Sequence, residues 1–228
     1  MKIPFRQNSV SAVLPSFLLA ASIVACPAAG VVVPEVVAAF AANPGDEFSP
    51  TYQIAGMSVS SLRTDGSQTT LEAGSSVQGS VFLLVEQGAS LPTAKANNQY
   101  FEFALTPAAG NLVTLTEMSF DAARGGASSP RGWGVYSNID GFSQLLGTAD
   151  ISTVQPSFSS FSVDLSALPE FDEELILRIY AYGPEVLGNG IFFDNIVVVG
   201  SLIPEPGSAL LAAGGLVLAL RRRRQASR

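Results

Sequence analysis

Four carboxylates, Glu102, Glu117, Asp121 and Asp164, sit in or beside stretches where polar and apolar residues alternate. Carboxylates are the residue type a glycoside hydrolase uses as its acid and its base or nucleophile. None of the four lies in a recognisable motif, and an acid alternating with apolar residues is by default on the solvent face of a sheet. A second constellation is aromatic. The lone Trp133, with Tyr136 and Phe142 close by, could stack on a sugar ring while Arg131 or Asp140 supplies hydrogen bonds. Against that, Trp133 and Val135 share parity on a strand, which is a core pattern. A third candidate is Asp194, alone in an apolar run. It could join Asp46 and Glu47 as hard oxygen ligands for Ca²⁺, or accept backbone N–H groups of a neighbouring loop. No other cofactor is implied.

What is missing narrows the chemistry further. The 228 residues contain no histidine and a single cysteine, Cys26. Ser-His-Asp and Cys-His catalysis, His-ligated metals and an internal disulfide framework are therefore excluded. With no motif around any carboxylate, the chain reads as a non-enzyme.

The stretches that must position these residues are strand-like. Tyr52–Val59, Val81–Glu86, Gln99–Leu105, Leu112–Phe120, Gly132–Ser137, Phe158–Leu165, Leu175–Tyr182 and Ile191–Val199 alternate or are rich in β-branched and aromatic residues. Clusters such as Thr106-Pro107-Ala108-Ala109-Gly110 and Ile139-Asp140-Gly141 separate them. Eight or so such strands predict an all-β fold, an antiparallel two-sheet jelly-roll-like sandwich over residues 46–201.

Charge is distributed unevenly. Between Asp46 and Ile203 there are 17 acidic and 5 basic residues, a net of −12, which argues against nucleic acid as a partner. The other basic residues flank two apolar segments. Lys2 and Arg6 precede the run Val10–Val24, which suits the core of an export signal better than a membrane span. A further small-residue stretch reaches Ala42, so residues 1–41 read as a signal-peptide helix and processing region. Cleavage is expected after Ala41, with a site near Ala29 as the rival. Ile23-Val24-Ala25-Cys26 resembles a lipoprotein lipobox, which would make Cys26 an acylated N-terminus.

At the other end, Ile203-Pro204-Glu205-Pro206 precedes an apolar run, Ala209–Leu220, and then Arg221, Arg222, Arg223 and Arg224. A helix from Gly207 to Arg224 would rise about 27 Å at 1.5 Å per residue. That approaches the roughly 30 Å hydrocarbon thickness of a bilayer. The arginines would hold its end at the cytoplasmic surface.

The order Pro-Glu-Pro, apolar helix and Arg cluster over residues 203–228 resembles the PEP-CTERM sorting signal of exported bacterial proteins. The resemblance implies a transmembrane helix, recognition by an exosortase, and export through the Sec machinery with signal peptidase. It further implies an inner-membrane-anchored precursor that ends in the cell envelope or an extracellular matrix, near exopolysaccharide. Within it Pro204, Glu205 and Pro206 are a processing motif and not a catalytic one. The closing segment Ile191-Phe192-Phe193-Asp194-Asn195-Ile196-Val197-Val198 resembles the last strand of jelly-roll sandwiches in PEP-CTERM proteins and carbohydrate-binding modules. That likeness implies the same fold and, as an alternative role, carbohydrate binding.

Overall fold

The computed structural model describes residues 33–41, 46, 48–64, 69–73, 81–85, 90–126, 132–183 and 189–204. All of them belong to the compact unit that begins at Val32. The expected signal-peptide and transmembrane helices, Glu205, Pro206 and Arg221–Arg224 lie outside the described residues. Among those described, no helix is long and apolar enough to cross a membrane.

Among the described residues twelve strands form two antiparallel sheets, the all-β two-layer fold expected. The seven-stranded sheet is built on two long neighbours, β7 (Asn111–Arg124) and β12 (Asn189–Pro204), paired from Ile191↔Arg124 to Pro204↔Asn111. β10 (Ser159–Asp164) adds to the free edge of β7. The other edge of β12 is shared. Its first half pairs with β5 (Val81–Val85), itself paired with β4 (Thr69–Ala73), and its second half pairs with β1 (Glu35–Phe40). The two-residue β2 (Tyr52–Gln53) follows β1. The five-stranded sheet runs β3 (Met57–Val59), β6 (Tyr100–Pro107), β11 (Leu175–Tyr182), β8 (Gly132–Ser137), β9 (Gly147–Asp150).

Two expectations need correction. The stretch Tyr52–Val59 is two strands, since the chain leaves one sheet and enters the other at Gly56. That residue has φ +88, and a Cβ there would sit 3.0 Å from the Asn111 side chain. The second correction is larger. Glu35–Phe40, assigned from sequence to the processing region, is a core strand with Val37, Ala38 and Phe40 buried. The folded body therefore starts before Glu35 instead of at residue 46, and cleavage after Ala41 would strip a strand from it. At the other end the body extends past 201 to Pro204.

The core is where period-2 alternation aims the large side chains. Phe101, Phe103 and Leu105 of β6, and Leu177 and Ile179 of β11, face Met118, Phe120, Phe193 and Val198 of the opposite sheet. Ring pairs cross the layer: Phe40–Phe103 at 5.0 Å, Phe101–Phe193 at 4.9 Å and Phe120–Trp133 at 4.9 Å. Such offset and edge contacts suit the aromatic quadrupole.

Candidate functional site

The residues left over from the core collect on the outer face of the five-stranded sheet. Alternation that turns Phe101 and Phe103 inward turns Tyr100 and Glu102 outward. The same parity puts Arg178 and Tyr180 of β11 and Tyr136 of β8 beside them. The pairing is direct: Glu102 stands opposite Arg178, and Arg178 opposite Tyr136. Beyond β3, Arg63 bridges to Glu102 through reciprocal backbone bonds of 3.0 and 2.8 Å. One row across four neighbouring chain segments thus reads Arg63, Glu102, Arg178, Tyr136.

Glu102 is the centre of that row. Its side chain is only 5% exposed, and it accepts Arg63 Nε on Oε1 at 2.9 Å and Arg178 Nε on Oε2 at 2.7 Å. This corrects the solvent-facing reading of Glu102. The Arg178 guanidinium lies between two rings, 3.7 Å from the Phe142 centroid and 4.2 Å from that of Tyr100. Burial works against its charge, yet the hydrogen bonds to Glu102 and Tyr180 leave its pKa raised overall.

A short helix, α1 (Leu91–Ala96), lies over this face. Ser90 caps it by accepting the Thr93 N–H, and Pro92 fits the first turn. Leu91 packs on the strand because β8 carries glycine outward. A Cβ at Gly134 would come within 2.7 Å of Leu91, and one at Gly132 would strike the Tyr182 ring. Lys95 sits 4.2 Å from the Tyr136 centroid and donates to the Phe142 carbonyl at 2.6 Å. That carbonyl belongs to the loop after the 3₁₀ turn Asn138–Asp140. There Asp140 accepts the Ser143 and Gln144 N–H groups and the Ser143 hydroxyl, which hold its carboxyl below the usual range against the desolvation it suffers.

The sequence candidates fare differently. Trp133 is 2% exposed and wedged edge-on against Phe120 and Phe161, so it offers no ring face to a sugar. Tyr136 points to the opposite side of the sheet, where it packs at 5.4 Å on Tyr180. An aromatic platform joining the two is therefore corrected: adjacent parity splits them. Arg131 lies outside the described residues.

Among the hydrolase candidates, Glu102 is on one sheet, and Glu117 and Asp121 on β7 and Asp164 on β10 are on the other. The latter three are engaged by serines: Ser162 donates to Glu117, Ser160 to Asp121, and the Ser166 N–H to Asp164. Hydrogen bonds from Ser166 lower the Asp164 pKa, the reverse of what a general acid needs.

Asp194 is half-buried, and its Oδ1 accepts the Asn195 N–H at 2.7 Å. Asn195 takes φ +50 and donates through Nδ2 to Asp121 at 2.9 Å, where the pairing of β12 with β7 is bulged. The Asp-Asn pair is thus a bulge device of the last strand. Asp46 is exposed. Among the described residues no group of three or more His, Cys, Asp or Glu is placed to hold a metal ion.

Two consequences are measurable. Replacing Glu102 with Gln leaves Arg178 stacked without its counter-ion, and removing one partner of such a pair costs about 3 kcal/mol. Urea unfolding should show that loss for Glu102→Gln, whereas Arg63→Gln, with Arg63 55% exposed, should cost below about 1 kcal/mol. Equal losses would contradict the assignment. The second concerns alkali. Burial raises the phenol pKa of Tyr136, Tyr180 and Tyr182, with Tyr180 adding to the shift of Tyr136. A raised folded pKa stabilises fully below the unfolded value, about 10, and that stability drains as pH climbs through the folded value. The melting temperature should fall above about pH 10, and less so in Tyr180→Phe; a flat profile would contradict it.

No protein-family model matches this sequence, and no curated protein does. Solved structures of similar outline exist. A family 29 carbohydrate-binding module from Piromyces equi is 10% identical, over 74% of this chain and 91% of its own, with TM-score 0.41. The CBM22-1 xylan-binding domain of Paenibacillus barcinonensis Xyn10C is 10% identical, over 76% and 97%, with TM-score 0.39. CBM35 from Cellvibrio japonicus Abf62 is 17% identical, over 63% and 90%, with TM-score 0.38. What those modules bind is a property of those modules.

Proposed function

We propose that this chain is a non-catalytic exported β-sandwich protein, sorted by its Pro204-Glu205-Pro206 tail to the cell envelope or matrix, where its body associates with extracellular polysaccharide. One observation carries the reading: the described strands of the sandwich run from Glu35 to Pro204, so the last of them ends where the Pro-Glu-Pro motif begins. The strand that ends at Pro204 is paired along its length, so cleavage beyond it would leave both sheets whole. At the other end a cut near Ala29, or acylation of Cys26, would spare β1 as well. A non-catalytic body is supported by Glu102, Glu117, Asp121 and Asp164, each of which accepts hydrogen bonds from Arg63 and Arg178 or from a serine.

Mass spectrometry of the mature protein from a host with an active exosortase tests this. The expected species starts upstream of Glu35 and ends near Pro204–Pro206, without the Arg-terminated segment. Retention of the whole tail in that host would refute the sorting reading.

A further inference from the structure

Five basic residues stand between Asp46 and Ile203, namely Arg63, Lys95, Arg124, Arg131 and Arg178, against 17 acidic ones. Three of the five, Arg63, Lys95 and Arg178, lie on the outer face of the five-stranded sheet, where Arg63 and Arg178 hold Glu102, the one buried carboxylate among the described residues, and Lys95 sits over Tyr136. One carboxylate needs one cation. Arg178 meets that need alone, because its guanidinium is braced between Phe142 and Tyr100 and its Nε is 2.7 Å from Glu102. Arg63 is the surplus. It is 55% exposed and reaches Glu102 through Nε at 2.9 Å, and the described residues give its Nη groups no hydrogen-bond partner. Asp140, in the loop that carries Phe142, has its carboxylate taken up by Ser143 and Gln144. Within the Arg63–Glu102–Arg178 row two guanidinium groups therefore face one carboxylate, in a body whose net charge is otherwise strongly negative.

We propose that Arg63, with Arg178 behind it, binds the carboxylate of an acidic polysaccharide, a uronate unit, on this face. A guanidinium whose Nε is already fixed presents its remaining N–H donors in a set direction, which suits a planar carboxylate. The half-buried Phe142 ring beside Arg178 gives an apolar surface for the sugar carbons next to that carboxylate. The body's overall charge repels polyanions at long range, so attraction is confined to this patch. The assignment rests on the polysaccharide reading above and names its site and ligand class.

The test is isothermal titration of the full-length chain in detergent with oligogalacturonate, a neutral galacto-oligosaccharide of the same length, and poly-glutamate. A second background, with Arg221–Arg224 changed to Gln, removes the arginines of the tail. Oligogalacturonate should bind equally in both backgrounds. The Arg63→Gln variant should weaken it roughly tenfold or more, the worth of a charge-assisted hydrogen bond. Arg63→Lys should fall between, and Arg124→Gln should match the parent chain. Melting curves verify that each variant is folded. Unchanged binding in a folded Arg63→Gln chain overturns the proposal, as does binding lost with the tail arginines. Equal binding of poly-glutamate overturns it too, because charge alone then suffices. If the neutral oligosaccharide binds as tightly, this assignment falls while the polysaccharide reading survives. Binding of neither sugar removes both.

Discussion

A chain beginning at Ala42 will fail to fold cooperatively, and one beginning at Val33 will unfold like the full-length protein. The difference between them is β1. Its residues pair with β12 from Glu35↔Gly200 to Phe40↔Ile196, and β2 depends on it for its own pairing. Without it, half of one edge of the longest strand loses its hydrogen-bond partners. Val37, Ala38 and Phe40 also leave the core, and Phe40 alone packs at 5.0 Å on Phe103. Truncating one buried Phe costs about 3–5 kcal/mol. A whole strand lost from a domain of about 5–15 kcal/mol total stability exhausts the margin. Near-ultraviolet circular dichroism and urea unfolding of the two truncations decide it. A cooperative transition at the same midpoint for the Ala42 chain would show β1 to be dispensable, and would restore cleavage after Ala41 as an option.

Why β1 was illegible is instructive. The segment Glu35-Val36-Val37-Ala38-Ala39-Phe40 follows a long apolar, small-residue run and carries one charge, which is also how a processing region reads. A register shift between Val36 and Ala38 puts Val37 and Ala38 both in the core, so the strict alternation that marks a strand is absent. Where alternation was intact, reading worked: Gly132–Ser137 and Leu175–Tyr182 are strands with the expected bounds. Tyr52–Val59 alternates well and still breaks, because alternation shows which face a side chain takes and not to which sheet its strand belongs.

The Arg63–Glu102–Arg178 row left little trace. Its members lie 39 and 76 residues from one another along the chain, in pairings that only the folded topology supplies. The local hint was charge inside apolar strands: Glu102 between Phe101 and Phe103, and Arg178 between Leu177 and Ile179. Each was compatible with a solvated sheet surface. What sequence could not display was the cover, since α1 was unanticipated and it is α1 with the Phe142 loop that covers the Tyr136 and Arg178 end of this row, leaving Arg63 exposed.

Trp133→Ala should lose about 4 kcal/mol, within the range for truncating a buried large aromatic. The indole is 2% exposed, and its edge-to-face partners Phe120 and Phe161, at 4.9 and 5.4 Å, come from two strands of the opposite sheet. No single neighbour can close the void without moving a sheet. Trp133→Phe should be far milder. Among the described residues the buried Nε1 has no hydrogen-bond partner. Leaving such a group unsatisfied costs about 1–3 kcal/mol, and Phe removes it while keeping most of the ring contact. Urea unfolding followed by circular dichroism measures both. A Trp133→Ala chain within about 1 kcal/mol of the parent would mean that the sandwich does not rest on this wedge. The pair also guards the polysaccharide experiments. Lost glycan retention in Trp133→Ala reports unfolding, whereas retention kept in Trp133→Phe separates the core from any sugar-contacting face. A binding surface built on Arg63 predicts that second result, and one built on the indole predicts its opposite.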